Sequence, residues 1–482
     1  MTTSPMGSRR HVCLWALALG VLAAATAQAA GFEIPGNSAQ GIGRGMALTA
    51  AVDDGTAVAH NPGRLSQQKG HRAQWSHQLL WSHEAFTRAA SAYPQDPVPG
   101  ANNADALKKS ENQASVFPLG VFLSASTDLG MPDWTFAAAG YGPSANGFKQ
   151  FDTQGGQRYM LTKLDALLAY ASLAAAYGKK DRFGIGATLQ WAMMPKTDMT
   201  LVVDGATGGV NNPYYSGNDA VATIRLKDMT AFSAIVGGWY RLTENLELAL
   251  SGRILPVSFE SEGDVLLEND KAGTGAHFSD SHLLISNSKS KLKMKMAPTA
   301  AVGLRYRSPT ADGRDDFDIE ANVVWEGWSV LNEYNVINSG QINLFKASAM
   351  PNVHIQKRWQ DTWSARLGGT KWLSPDLAVS AGGYYEQGAA PLDFSHLDFP
   401  SFDRYGVGGG LRYSVGAFRL NLSYAHVFQP DRTVDERWGQ VYQQRPLAPC
   451  PANCDGQGSV AANAGTFETA YDMLSWSVQA QF

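Results

Sequence analysis

The sequence predicts an all-β protein: a transmembrane antiparallel β-barrel of about 14 strands, with an N-terminal hatch that plugs its lumen. Three observations predict this fold. The chain ends on an alternating strand that closes with Phe482, short and long connections alternate along it, and no apolar run after the first thirty residues is long enough for a membrane-spanning helix. Because only helices and closed barrels satisfy every backbone polar group inside a bilayer, a membrane protein with this sequence must be a barrel.

The first 29 residues have the order of a secretory signal peptide. Arg9 and Arg10 precede an apolar run over 12–25, which the small-residue sequence Ala27-Gln28-Ala29 follows. The run is shorter than the roughly 20 residues that a membrane anchor needs. We therefore predict export and a mature chain that begins at Ala30.

Composition agrees with a barrel and argues against nucleic-acid binding. Charged residues make up only 17% of the chain, whereas glycines (49) and aromatic residues (10%) are plentiful, as expected when strands alternate between lipid and lumen. Removal of the signal peptide takes away two arginines and leaves 37 − 43 = −6 as the net charge. The mature chain has no basic cluster that would bind nucleic acid.

The last strand shows the clearest alternation. Even-numbered positions from 474 to 482 are apolar, and the odd-numbered positions between them are Ser475, Ser477, Gln479 and Gln481. One face therefore suits lipid and the other suits water. Similar stripes recur upstream over 183–191, 377–385 and 418–424.

The connections between these segments alternate in length, as in a barrel with short periplasmic turns and long extracellular loops. Short ones are predicted at 128–133, 178–182, 241–245, 308–316, 373–376 and 415–417. Long ones are predicted at 89–113, 145–163, 204–221, 262–290, 329–352, 386–403 and 429–466. A soluble β-sandwich would show more uniform spacing.

The two mature cysteines, Cys450 and Cys454, lie in the last long loop. In an oxidising compartment this spacing predicts a small disulfide that pins the loop. A metal site would need more ligands nearby, so we predict neither a metal ion nor a cofactor.

Residues 30–71 do not alternate as a barrel strand does. Such a segment ahead of a barrel is a disordered tail, a periplasmic arm or a plug in the lumen. Apolar patches at 32–34 and 46–52 argue against disorder. We predict a hatch over 30–71 and a barrel over 72–482.

Four blocks stand out in the hatch, and others follow in order along the barrel. The hatch blocks are Ala30-Gly-Phe32, Gly41-Ile-Gly-Arg-Gly-Met46, Asp53-Asp54-Gly55 and Asn61-Pro62. The barrel blocks are at 156–159, 324–329, 361–369, 402–406 and 425–432. Together they resemble the FadL-type outer-membrane long-chain fatty acid and hydrocarbon transporters. That family usually has Ala where this chain has Gly63.

The resemblance implies passive uptake of long-chain fatty acids or other hydrophobic compounds across a bacterial outer membrane. The expected steps are capture by outer loops, hatch rearrangement and lateral release through a wall opening at the third strand. A transporter of the same fold that is specific for neutral hydrocarbons or aromatic compounds is the alternative. The implied partners are the hydrophobic small molecule, outer-membrane lipid and lipopolysaccharide, and the barrel-assembly machinery, with the chain acting as a monomer.

Loop 262–290 carries an unusual apolar load for an outer loop, which indicates ligand contact or packing against a neighbouring loop. The residues predicted to contact ligand are Leu266, Leu267, Phe278, Leu283 and Leu284.

The wall opening has candidates in the third strand. Gly140 and Gly142 weaken strand pairing there, and Pro143 cannot donate a ladder hydrogen bond. The alternative is that Pro143 merely ends the strand. In the hatch, Asn61 and Pro62 are predicted to take part in gating.

A lumen pocket for a fatty acid should place one cation beside apolar side chains. Lys196, Arg158 and Arg225 are the candidate cations, and Met193, Met194 and Phe32 are candidate apolar contacts. The family can carry an arginine in the fifth strand, where this chain has Lys196, so a neutral substrate stays open.

A barrel enzyme and a general porin are the alternatives from other classes of protein. A barrel enzyme would need converging catalytic groups, but the sequence has no nucleophile elbow or zinc motif, so we predict no catalytic residues and no enzyme. A general porin would lack the N-terminal plug.

Overall fold

The structure, a computed structural model, describes residue 31 and residues 38–89, 108–142, 147–179, 182–203, 219–270, 285–310, 315–343, 347–350, 352–444 and 461–482. As predicted, its strands form a closed antiparallel barrel of 14 strands. They are β1 (Arg72–Arg88), β2 (Val116–Thr127), β3 (Trp134–Tyr141), β4 (Lys163–Lys179), β5 (Phe183–Val203), β6 (Ala220–Arg241), β7 (Leu246–Leu255 and Ser258–Asn269), β8 (Ile285–Lys295 and Thr299–Pro309), β9 (Asp315–Glu326 and Glu333–Asn343), β10 (Val353–Gln356 and Thr362–Trp372), β11 (Leu377–Glu386), β12 (Arg404–Val415), β13 (Phe418–Val434) and β14 (Gly465–Gln481).

Short elements accompany the barrel. Two short helices, α1 (Ala39–Gly43) and α2 (Ala57–His60), precede β1, and 3₁₀ helices lie at Pro62–Gln67, Trp328–Val330 and Leu392–Phe394. Short strands lie at Ser110–Glu111, Phe148–Gln150 and Ala347–Ala349. Among the described residues, no helix combines the length and apolar character that crossing a membrane requires.

The barrel closes where its first and last strands pair. β1 and β14 stay in register from Arg72 opposite Gln481 to Arg88 opposite Gly465. The N–H of Phe482 then donates to the carbonyl oxygen of His71 at 2.9 Å. The sequence prediction of a terminal strand with a polar lumen face is confirmed, since Ser475 and Ser477 are buried while the apolar side chains between them face outward.

The short turns fall where the sequence placed them, for example between β2 and β3 and between β10 and β11. Two predicted loops are wrong in their extent. Residues 262–269 and 285–290 belong to β7 and β8, and Glu333–Asn343 continues β9. The strands therefore continue well beyond the segments that alternate as lipid-facing strands.

The sequence underestimates the length of these strands because the outward side chains change from apolar to charged along each strand. In the lower segment of β8, Leu304 faces outward and Arg305 faces the lumen. In its upper segment Leu292 is buried inside, whereas Lys291 and Lys293 are exposed and form ion pairs with glutamates of β7. Alternation persists but its polarity inverts, because the outer face leaves the lipid and meets water. The upper lumen is consequently apolar.

The hatch, described over 38–67, lies inside the lower barrel and is mostly buried. Its backbone approaches the wall at glycines. A Cβ on Gly63 would lie 2.7 Å from the Cα of Gly238, and one on Gly45, whose φ is +57°, would lie 2.2 Å from the nitrogen of Gly383. Side chains at these points would push the hatch away from the wall.

Buried ion pairs also hold the hatch. Arg44 Nη1 lies 2.6 Å from Asp318 Oδ1 of β9, and Arg64 Nη1 lies 3.2 Å from Glu247 Oε2 of β7. On the other side, Asp53 Oδ2 lies 2.9 Å from Arg412 Nη1 of β12. Because removal of one partner leaves a buried charge uncompensated, these contacts fix the hatch to the barrel from several directions.

Candidate functional site

An apolar patch lines the lumen above the hatch, and we call it the lumen patch. Hatch residues such as Leu48, Val52 and Val58 pack against wall residues from β2 to β8. The large wall residues are Phe122, Tyr141, Tyr170, Met194, Phe259 and Met296. The mixture of aromatic rings and thioethers gives a surface that accommodates apolar molecules of different shape.

The aromatic members of the patch form a row across β2, β3 and β4. The ring centroids of Phe122 and Tyr141 are 5.0 Å apart, and those of Tyr141 and Tyr170 are 5.4 Å apart. Two polar groups border the row: Gln190 donates to the Tyr141 hydroxyl, and the Arg253 guanidinium carbon lies 5.9 Å from the Tyr170 ring centroid. The patch therefore offers a large apolar area with a few placed polar groups, as ligand sites do.

A narrow apolar cleft, which we call the upper cleft, lies higher in the lumen. Its lining comes from the upper segments of β5, β6, β7 and β9, and includes Leu201, Ile224, Val265, Leu267, Ile342 and Met350. The same residues form an apolar cluster with Trp328 and Trp359. The cleft is a consequence of the inverted polarity, since the inward positions of these extended strands are the apolar ones.

The described pairing between β2 and β3 ends at the height of the lumen patch, and we call this place the wall break. The last pair between β2 and β3 is Phe122 with Tyr141, and above it the Gly142 N–H donates to the Val121 carbonyl at 3.2 Å. Residues 116–120 of β2 pair with β1 but, among the described residues, not with β3. Contact resumes higher up, where the Gln113 N–H donates to the Gln150 carbonyl at 2.7 Å. Residues 143–146, which lie between these two bonds along the chain, are outside the described residues.

Three buried cations of the outer half lie against carboxylates. The pairs are Lys149 with Glu84 at 2.6 Å, Arg158 with Asp219 at 3.1 Å, and Lys357 with Asp398 at 2.5 Å. In the hatch, burial and, to a lesser degree, the positive charge of Arg366 lower the pKa of His60 to about 4, so its imidazole is neutral near pH 7. The charges of these groups are therefore balanced within the protein.

The structure separates the predicted fifth-strand residues. Met194 faces the lumen patch with 4% of its surface exposed, whereas Met193 lies beside it at a bulge and is half-buried. Lys196 faces away from the lumen and pairs with Asp165. Its predicted position as a lumen cation is wrong, because the irregularity between Met194 and Thr197 changes which side chains point inward. Arg225 of β6 is exposed as well, so its predicted position in the lumen is also wrong.

Arg158 is buried, and its guanidinium already interacts with several protein groups. Besides Asp219, its Nη2 donates to the Tyr159 hydroxyl at 2.7 Å and its Nη1 donates to Gln154 at 3.2 Å. Burial opposes its charge, yet Tyr159 and Asp219 raise the pKa of Arg158 above its ordinary value. This arginine therefore braces the connection between β3 and β4.

The two described residues among those predicted to capture ligand face opposite sides of β7. Leu267 faces the upper cleft and is buried, whereas its neighbour Leu266 faces outward. The other three, Phe278, Leu283 and Leu284, lie outside the described residues, as do Phe32, Pro143, Cys450 and Cys454.

The predicted gating residues occupy two places. Gly140 is still paired on both sides, with Leu123 and Ala171, so the wall break begins after it, at Gly142. Asn61 Nδ2 donates to the Gly238 carbonyl of β6 at 3.2 Å, as well as to the Thr49 carbonyl within the hatch at 2.7 Å. Pro62 begins the 3₁₀ helix that lies along β5 and β6. Both hatch residues therefore contribute to docking.

Sequence reasoning missed the aromatic row and Arg253. A signal was present for both: Tyr141 is a single large residue among alanines and glycines, and Arg253 occupies an inward position of β7 just before the outward Ile254. The row could not be assembled from sequence, since its members lie on three strands and meet only through register.

Comparisons with known proteins agree with this arrangement. The model of the family described as outer membrane protein transport protein (OMPP1/FadL/TodX) matches residues 20–467. The chain belongs to this family. A search of curated sequences gave no significant match.

Solved structures resemble this FadL-family barrel over nearly its whole length. A Pseudomonas aeruginosa FadL homologue aligns with a TM-score of 0.72 at 15% identity, over 94% of this chain and 100% of that one. The P. putida toluene transporter TodX gives 0.61 at 14% identity, over 91% and 98%, and the Ralstonia pickettii toluene transporter TbuX gives 0.59 at 11%, over 92% and 97%. At such identities the likeness shows the fold.

Membership of the FadL family confirms the predicted family and the predicted location in the outer membrane. The protein is an outer-membrane β-barrel of a family of transporters of hydrophobic compounds.

Proposed function

We propose that this FadL-family barrel takes up long-chain fatty acids or other hydrophobic compounds passively, by capture at its outer loops, passage along the apolar upper lumen to the lumen patch and lateral release through the wall break. The observation that carries the proposal is the apolar lining of the lumen at both heights, beside the end of the described β2–β3 pairing. A hydrophobic molecule can move down such a lining without ATP, because each position offers burial from water.

The docked hatch supports a lateral rather than an axial route. Arg44, Arg64 and Asp53 tie it to three separate strands of the lower barrel. An axial route would require all of these ion pairs to separate in each transport event. A lateral opening at the third strand would leave these pairs in place.

The neutral-substrate alternative has its own support. Lys149, Arg158 and Lys357 are each balanced by a carboxylate, and His60 is neutral near pH 7. A fatty acid in the lumen patch would meet Arg253, whose guanidinium carbon lies 5.9 Å from the Tyr170 ring centroid. A neutral hydrocarbon or aromatic compound needs no cation at all.

Replacement of Arg253 separates the two candidates. We expect Arg253→Gln to lower uptake of a long-chain fatty acid by about tenfold while uptake of a neutral aromatic compound is unchanged, since only the carboxylate loses a charged partner. Radiolabelled substrate uptake by cells with equal barrel levels measures both, and Arg253→Lys, which keeps the charge, is the control. Unchanged fatty acid uptake would favour the neutral-substrate candidate.

Neighbouring leucines of β7 test the upper cleft. Leu267→Glu should lower uptake by about tenfold, because it places a carboxylate in the apolar cleft, where an unpaired charge is costly. Leu266→Glu puts the same residue on the outer face, beside strands that already carry charges, and should leave uptake unchanged. Equal effects of both substitutions on uptake, at equal barrel levels, would exclude the cleft from the route.

We also expect an exported transporter without enzymatic activity. We keep as predictions cleavage of residues 1–29, a Cys450–Cys454 disulfide, assembly by the barrel-assembly machinery, contact with lipopolysaccharide and a monomeric state. Mass spectrometry of the mature chain, with and without reduction, tests the first two.

A further inference from the structure

The outer surface of β6, β7 and β8 changes from apolar to charged along the strands. In the lower wall its outward positions include Phe232, Ile254 and Val302, each about half exposed. Above them the outward positions are mostly charged and exposed, and we call this surface the charged face. Its basic residues are Arg225, Lys227, Lys289, Lys291, Lys293 and Lys295, and its acidic residues are Glu260, Glu262, Asp264 and Glu268. The charged face therefore begins where the apolar band of the barrel ends, at the height of the lipid head groups.

Strand register arranges these charges in rows. Glu262 of β7 lies opposite Lys227 of β6 on one side and opposite Lys291 of β8 on the other. In the row below, Glu260 lies opposite Lys293. An acidic strand thus stands between two basic strands, and cations outnumber carboxylates on the surface as a whole.

The ion pairs within the charged face are exposed. Lys291 pairs with Glu262, and Lys293 Nζ lies 2.8 Å from Glu260 Oε1. All four side chains are between 62% and 72% exposed. Ion pairs in water contribute little to stability, so these lysines can exchange a glutamate for another anion at little cost.

The lysines of β8 form a row that the glutamates only partly neutralise. They occupy alternate positions over 289–295, so neighbouring ammonium groups stand about 7 Å apart along the strand. Within the described residues, Lys289 and Lys295 make no ion pair. Because this spacing is shorter than the screening length of about 8 Å at physiological ionic strength, the like charges repel one another, and a partner with several anionic groups relieves the repulsion.

We propose that the charged face binds the phosphate groups of lipopolysaccharide. Clusters of basic residues beside the hydrocarbon region attract anionic lipid head groups. The lysine row spans about 20 Å along β8, which is longer than one layer of phospholipid phosphates is deep, whereas lipopolysaccharide carries anionic groups on lipid A and on the sugars above it. The inference rests on the expected contact with lipopolysaccharide, gives that contact a place on the barrel, and is independent of the transported compound and its route.

Two double variants with matched chemistry test the position of the site. Lys291→Gln with Lys293→Gln removes two exposed, paired cations from the charged face. Lys179→Gln with Lys371→Gln is the control, because each of these lysines is also about half exposed and pairs with an aspartate, but at the periplasmic ends of β4 and β10. Both variants lose the same charge and two exposed ion pairs, so a difference between them reports where the lipid binds.

The measurement is a titration of the purified full-length barrel with rough lipopolysaccharide, followed by native mass spectrometry. We expect the charged-face variant to bind about tenfold more weakly and the periplasmic control to bind as the unmodified barrel does. After enzymatic removal of its phosphates, the lipid should bind all three proteins alike.

Three results would overturn the inference. Equal affinity of all three proteins for phosphorylated lipopolysaccharide would exclude the charged face as the site and leave the proposed transport intact. Tighter binding of cardiolipin than of lipopolysaccharide, lost in the charged-face variant, would show a phospholipid site instead. Absence of binding to the unmodified barrel would overturn both the site and the expected contact with lipopolysaccharide.

A third double variant distinguishes charge from structure. Glu260→Gln with Glu262→Gln removes the carboxylates that compete with phosphate for Lys291 and Lys293. We expect this variant to bind lipopolysaccharide about threefold more tightly than the unmodified barrel, because the net positive charge of the face rises. Weaker binding would mean that the intact lysine–glutamate pairs, rather than the lysine charges, hold the lipid, and would contradict phosphate recognition.

Discussion

Extension of β3 across the wall break should stop release. The variant Gly142→Val with Pro143→Thr replaces two residues that disfavour pairing by two strand formers, so the ladder with β2 should continue above Val121. We expect uptake of hydrophobic substrate to fall by more than about tenfold, while ligand still occupies the lumen patch. Uptake by cells and equilibrium binding by the purified barrel measure the two effects.

Substitutions of the same types elsewhere in the wall provide the controls. Gly409→Val changes an outward glycine of β12, and Pro309→Thr changes the last residue of β8. Both should transport normally. If the extended β3 also transports normally at an equal barrel level, substrate does not leave between β2 and β3.

Removal of the Arg44 guanidinium should loosen the hatch while the barrel remains folded. Arg44 is fully buried and binds Asp318 and Thr370, so Arg44→Met should weaken hatch docking by about 3–5 kcal/mol. The 14 strands keep their own hydrogen bonds. We therefore expect large openings in planar bilayer recordings and greater sensitivity of cells to a bulky hydrophilic antibiotic.

Two variants distinguish loss of charge from a general effect. Arg44→Lys keeps the charge and should give intermediate conductance. Arg437→Met removes an exposed arginine of the last outer loop and should give the low conductance of the unmodified barrel. Low conductance of Arg44→Met would mean that the remaining contacts, among them Arg64 and Asp53, suffice to hold the hatch.

Sequence alone predicted the strand number, the short turns and the terminal seam, because lipid on one side and the lumen on the other impose a strict two-residue alternation. It failed where that environment changes. The sequence predicts a loop over 262–290, where upper β7 and β8 lie, since outward residues there, such as Glu262 and Lys291, are charged. The alternation was still present at these positions, with Val265 and Leu267 on the inner side.

Site residues were harder to predict than strands, for a related reason. One bulge shifts every later side chain to the other face, which is why Lys196 faces away from the lumen although Met194 faces it. The aromatic row and the hatch ion pairs join residues that are far apart in the chain, such as Arg44 and Asp318. Nothing in their local sequence specifies these partners.

The most direct test of the lateral route is the position of a bound substrate. Crystals grown with a brominated long-chain fatty acid or a brominated aromatic compound would show the bromine by anomalous scattering. We predict bromine in the lumen patch, between Phe122, Tyr170 and Met194, with further density leading toward the wall break. Bromine along the barrel axis below the hatch, on the periplasmic side of Arg44 and Arg64, would contradict lateral release.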